Sequence, residues 1–139
     1  MRYERHGEFY VLRLDPGEEI IATLSEFCRT EGVRFGTVSG IGAIREVVIG
    51  AFDPQTHVYY SAELKGMYEI LALSGNVSEK DGEVYLHLHI VVADETHTAR
   101  GGHLNRAVIS ATGEIFIQVI PGAIGRRFDT GIGLNILDI

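Results

Sequence analysis

The chain has 139 residues; 12 Lys and Arg against 19 Asp and Glu leave a formal charge of −7. With 45% hydrophobic and 22% charged residues it has the balance of an ordinary globular domain, long enough to bury a core without disulfide staples. The acidic balance argues against gripping nucleic acid by bulk electrostatics; the single cysteine, Cys28, rules out an intrachain disulfide and a cysteine-based zinc finger; and no apolar run nears the roughly 18 residues of a membrane span.

The start, Met1-Arg2-Tyr3-Glu4-Arg5-His6, lacks the apolar centre of a signal peptide, so a cytoplasmic setting is expected. No linker, charge block or internal repeat interrupts the chain, and residues 1–139 are expected to form one domain. Phe9 to Leu14 reads as a strand. Asp15-Pro16-Gly17 then offers a capping carboxylate and a helix-compatible proline, with Glu18 and Glu19 in the first helical turn. Ile20, Ile21, Leu24, Phe27 and Cys28 follow as one apolar stripe, and Gly32 suits the C-terminal cap. On that stripe Cys28 is a small buried apolar residue rather than a nucleophile. Strands are expected at Val33–Ser39, Ile44–Phe52, His57–Leu64, Tyr68–Val77, Glu83–Val92, Arg106–Ser110, Glu114–Ile120 and Gly131–Leu137. Gly40-Ile41-Gly42 reads as a break, and Lys80-Asp81-Gly82 as a hairpin turn. Strands joined by short turns, with one helix near the start, predict an α+β domain: a mainly antiparallel sheet with an N-terminal helix packed on it.

The most informative stretch is Leu86-His87-Leu88-His89-Ile90. Alternate side chains of a strand share a face, so His87 and His89 point one way and the aliphatic residues the other. Two residues of strand span about 6.6 Å, which lets both imidazoles converge on one ion at Zn–N distances of about 2.0–2.1 Å. A third histidine, His103, follows Gly101-Gly102 on what reads as a loop, where glycines permit close approach. Three neutral imidazoles with an open fourth position are the ligand set of a catalytic zinc. His97 lies in a polar loop from which it could reach the same site, although a solvated residue is the plainer reading; His6 and His57 read as surface residues. Thr37 to Gly42 is glycine-rich without being a nucleotide fingerprint. Arg126-Arg127 is too short for a basic patch and reads as solvated or as part of a subunit contact.

Gly66 to Asn76, His87-Leu88-His89, Gly101-Gly102-His103-Leu104 and Thr112-Gly113-Glu114-Ile115, with Ser39 to Ala43 upstream, together resemble the plants-and-prokaryotes-conserved domain. The resemblance runs from about residue 5 to the C-terminus. It implies an α+β fold that assembles as a homotrimer. For a stand-alone prokaryotic member it also implies zinc, or another divalent transition metal, at His87, His89 and His103. Plant members bind DNA through a separate AT-hook with an Arg-Gly-Arg-Pro core. Gly125-Arg126-Arg127-Phe128 is no such motif, so direct DNA binding does not carry over.

A more distant likeness is to acetolactate decarboxylase, a zinc enzyme with histidines from a His-x-His strand and a following loop. If that chemistry carries over, Glu69 is the candidate acid/base and Arg100 the candidate group for a substrate carboxylate. Three expectations follow: a metal-binding protein of unsettled biochemical role, a zinc-dependent lyase or hydrolase acting on a small oxygenated molecule, or a DNA-associated regulator working through partners.

Overall fold

The sole helix starts where a glutamate carboxylate can hold its first amides. In a computed structural model, which describes residues 1–139, Glu19 is the N-cap, its carboxylate accepting from the amides of Ile21 (3.1 Å) and Ala22 (2.6 Å). The same carboxylate accepts from the Ala107 amide at 3.0 Å, so one side chain caps the helix and ties it to the sheet. The expected cap, Asp15, instead pairs with the Met1 amine and Arg13. Pro16 and Gly17 form a turn, with Gly17 at φ 92°, and Glu18 closes it by accepting from the Asp15 amide, so the helix begins after both glutamates.

In chain order the elements are β1 (Arg2–His6), β2 (Phe9–Leu14), α1 (Ile20–Glu31), β3 (Gly36–Asp53), β4 (Val58–Lys80), β5 (Glu83–Ala93), β6 (Ala99–Val119), β7 (Arg126–Asp129) and β8 (Leu134–Leu137). Gly32 ends α1 in the left-handed conformation, φ 66°, donating to the Cys28 carbonyl. Ile20, Leu24, Phe27 and Cys28 are buried beneath it, and burial pushes the Cys28 thiol up to about 12, which makes it inert.

The expected strand pairs on either side of Gly40–Gly42, of Lys65–Met67 and of Ala111–Gly113 are each one long strand. Glycines bend them without ending them. Gly42, at φ 152°, marks a register shift in β3, and a side chain there would run into the Thr112 carbonyl. The segment expected to be one strand over Gly131–Leu137 is shorter and pairs with the unexpected β7 as a separate antiparallel hairpin.

The main sheet runs β1-β2-β6-β3-β4-β5, all antiparallel, and β5 also pairs with the start of β6. Because β6 is 21 residues long, its first third completes a closed circuit through β3, β4 and β5 while its last third pairs with β2 and β3. Outside that circuit β1, paired only with β2, remains a free edge, and its residues are all exposed. One cluster of 23 buried residues fills the interior, with Leu12, Ile44, Leu73, Leu88, Ile109 and Ile117 all under 3% exposed. Mainly antiparallel sheet plus one helix in a single small domain is the expected class. No helix is long and apolar enough to cross a membrane.

Candidate metal centre

Strand alternation decides which side of the closed sheet the histidines occupy. Leu88 and Ile90 are buried in the core at 0% and 1% exposure, so His87 and His89 face outward. His103 is not on a loop. It lies in β6, directly opposite His89 across the β5–β6 ladder. Its glycine neighbours serve the sheet: a Cβ on Gly101 would sit 2.7 Å from the Ile90 carbonyl, and one on Gly102 2.6 Å from the Gly50 carbonyl.

The three rings therefore converge by register. Centroids are 5.2 Å apart for His87–His89, 5.1 Å for His87–His103 and 5.6 Å for His89–His103. A Zn–N bond of about 2.0–2.1 Å puts an imidazole centroid about 3.2 Å from the ion, and a tetrahedral angle then separates two centroids by about 5.2 Å. One ligand atom from each ring lies within 4.8 Å of the other two. An all-imidazole set of three suits zinc, copper, iron or nickel rather than magnesium or calcium. The residues fit a transition-metal ion.

A ligand must be unprotonated to bind, and the surroundings favour that form. Burial, then the charges of Arg126, His103 and His89, push the His87 imidazole down to about 4. His103 is lowered as well, first by burial and then by His89.

The cluster forms one wall of a cavity of about 610 Å³. From the β3–β4 hairpin come Phe52 and Tyr59. The absent side chain of Gly50 makes room for the Tyr59 ring, whose hydroxyl is paired with the Asn105 side chain at 2.8–3.0 Å. From the β7–β8 hairpin come Arg126, Leu134 and Asn135. Arg126 is 9% exposed, so the solvated or subunit-contact reading fails for it, whereas Arg127 beside it is exposed. Its Nε donates to Ser78 Oγ (2.8 Å), Nη1 to the Asn135 carbonyl (2.8 Å) and Nη2 to Asn76 Oδ1 (2.9 Å). Nη2 also lies 3.4 Å from His87 Nδ1, and the guanidinium stacks 4.8 Å from the Tyr85 ring centroid. Asn76 stands opposite His87 in the β4–β5 ladder, so the same register that aims the histidine also anchors the arginine beside it.

Other expected residues lie elsewhere. Glu69 and Arg100 are exposed, paired in register with Ala93 and Val92, and neither lines the cavity. His97 sits at the β5–β6 turn with φ 63°, outside the cluster. His6 and His57 are exposed. Sequence reasoning missed Arg126, Tyr59, Asn105 and Asn135. Nothing local to those positions signals the site, because each reaches it only through strand pairing or a distant hairpin.

Residues 1–121 match the model of the Plants and Prokaryotes Conserved domain. Over 110 residues the chain is 37% identical to the bifunctional protein GlmU of Synechococcus sp. (strain JA-3-3Ab), covering 78% of this chain but only 16% of that much longer protein. A provisionally assigned DNA-binding protein from Bacteroides thetaiotaomicron superposes with a TM-score of 0.96 at 35% identity, over 99% of this chain and 96% of its own. A metal-containing protein from Archaeoglobus fulgidus gives 0.88 at 34% identity, over 100% and 99%. More remotely, a Staphylococcus aureus protein similar to alpha-acetolactate decarboxylase gives 0.56 at 14% identity, over 87% and 54%, a likeness of fold alone. The match over residues 1–121 makes this chain a member of the Plants and Prokaryotes Conserved domain family.

Proposed function

We propose that His87, His89 and His103 hold one divalent transition-metal ion, zinc by preference, and that the protein is a metal-binding member of its family. The observation that carries this reading is the near-equal spacing of the three rings, 5.1–5.6 Å, produced by strand register. The metal-containing relative from Archaeoglobus fulgidus supports it. A bound zinc would supply Lewis acidity at a position open toward the cavity. The chain's own residues would orient the ligands, hold His87 unprotonated and wall off water with Tyr59 and Phe52. A free buried thiol is in keeping with a cytoplasmic setting.

The direct test is elemental analysis of protein purified without an affinity tag. We expect close to one equivalent of metal per chain. Less than about one tenth of an equivalent, unchanged after incubation with zinc and dialysis, would refute the reading.

Catalysis is a second reading, favoured by the 610 Å³ cavity against which the cluster opens. It is a site for a small molecule beside a Lewis acid, as a lyase or hydrolase needs. Glu69 and Arg100 lie outside that cavity, so the groups to test for chemistry are those that line it. A DNA-associated role has support in the Bacteroides thetaiotaomicron relative, with the charge of −7 weighing against direct contact.

The proposal includes a homotrimer. Ile41 (55% exposed), Leu71 (54%), Val91 (40%) and Phe116 (43%) lie on the outer face of neighbouring strands β3, β4, β5 and β6. An apolar area of that kind on a sheet face supports a contact between copies of the chain.

A further inference from the structure

Arg126 is a buried cation with no anionic partner. All four polar groups around it are neutral: the Ser78 hydroxyl, the Asn76 amide oxygen, the Asn135 carbonyl and the His87 ring. These engage four of the five guanidinium N–H groups and leave one, on Nη1, without a partner. The cavity it lines contains no Asp or Glu. In a chain that carries an excess of seven acidic residues, a cavity that combines three imidazoles and an arginine with no carboxylate is set apart electrostatically. A buried charge is costly unless paired, and these neutral dipoles solvate the guanidinium without neutralising it.

The rest of the lining describes the other end of the ligand. Phe52, Leu134 and Ala51 present apolar surface, while Tyr59 and Asn105 satisfy each other. The only helix contributes nothing to this lining, so no helix N-terminus adds to the arginine's hold on a phosphate. The one free Nη1 N–H can give a carboxylate a single charge-assisted hydrogen bond, and a hydrocarbon part, which inorganic phosphate lacks, suits the apolar lining.

We infer that the cavity binds a small organic carboxylate, its carboxylate held by Arg126 and its hydrocarbon part against Phe52 and Leu134. The inference rests on the proposed histidine site, deepening it by naming a ligand class. The anion end comes from residues 126–135, beyond the 1–121 match to the family model, so specificity for the acid resides in the C-terminal hairpin.

The experiment is calorimetric titration of the zinc-loaded and the metal-free full chain with isobutyrate, with its neutral isostere isobutyramide, and with inorganic phosphate. Isobutyrate should bind the zinc-loaded protein at least tenfold more tightly than either competitor, and should still bind the metal-free protein, more weakly. Arg126→Gln should lose at least tenfold in isobutyrate affinity at unchanged zinc content. Arg126 also anchors β7, so Leu134→Asp serves as a second variant. Leu134 is 40% exposed and packs little, and a carboxylate there should repel isobutyrate by a similar factor with zinc retained.

Equal binding of acid and amide, preference for phosphate, or affinity indifferent to both substitutions would overturn the inference. The two failures separate cleanly. Arginine-dependent isobutyrate binding in a protein that takes up no zinc sinks the metal reading alone. Stoichiometric zinc with arginine-independent binding sinks this inference alone.

Discussion

His89→Ala isolates the ligand role of one imidazole, because His89 is the most exposed of the three and stands on the solvent side of β5. Its removal leaves the core contacts of Leu88 and Ile90 in place. Four-ligand zinc sites bind with about 10–16 kcal/mol, so one ligand accounts for about 3 kcal/mol, a factor of roughly 150 in affinity. Zinc buffered at about 100 times the wild-type Kd stabilises the folded protein by about 2.7 kcal/mol. An unfolding entropy of about 2.1 cal/mol/K per residue over 139 residues turns that into a rise in Tm of about 9 °C. At the same free zinc the variant should retain a rise of only about 1 °C.

The assay is thermal unfolding followed by circular dichroism, run with buffered zinc and with excess chelator. In chelator the two proteins should unfold within about 2 °C of each other, since the substitution removes little buried area. A variant that keeps the full zinc-dependent rise would refute a ligand role for His89. A variant whose chelator Tm falls by as much as the lost rise would show that the ring is structural.

Gly50→Ala places a methyl against the Tyr59 ring and should displace it from Asn105, destabilising the protein by about 1–3 kcal/mol. Urea denaturation measures this, and an unchanged midpoint would mean that the ring does not rest on Gly50. Glu19→Ala removes both the cap of α1 and the acceptor for the Ala107 amide, and should cost about 1–3 kcal/mol by the same method. Ile41→Asp puts a charge in the apolar outer face; light scattering should give a trimeric mass for the native chain and a lower one for the variant, and a monomeric native protein would refute the trimer. Acid should weaken the metal-free protein. The His87 pKa is held at about 4 in the folded state against 6.5 when free, so between those values the unfolded chain binds a proton that the folded chain refuses. Stability is complete above pH 6.5 and declines as pH falls toward 4, and a urea midpoint in chelator that is the same at pH 7 and pH 5 would contradict it.

The parts of the fold legible in the sequence were those with a local signature. The helix stripe Ile20, Leu24, Phe27, Cys28 and the alternation through Leu86–Ile90 each have a period that selects one element, and both packed as that period requires. Strand lengths were not legible, because glycines at positions 40, 42 and 113 look like terminators in sequence and act as bends within β3 and β6. The helix cap was misread because the choice between Asp15 and Glu19 is made by the Ala107 amide, 88 residues away. For the site, the shared face of His87 and His89 was readable, whereas the strand placement of His103 needed the β5–β6 register. Arg126 was beyond reach: it meets His87 across 39 positions of chain through a hairpin with no strong strand pattern.

That division between readable and unreadable residues follows the chemistry of the site. Imidazoles are neutral ligands, so three of them leave the charge of a divalent ion uncompensated, where carboxylates or thiolates would have cancelled it. Arg126 adds a further positive charge a few ångströms away, and no acidic side chain in the cavity offsets either. A closed structural metal site gains nothing from such an arrangement, since each added cation weakens cation binding. A site that must draw an anion out of water does gain, because both charges act on the ligand through a partly desolvated path. On the proposed reading, the cost to metal affinity and the benefit to anion affinity would come from the same residue. Arg126→Gln should move the two in opposite directions, tightening zinc while loosening the carboxylate, and a purely structural arginine would loosen both together.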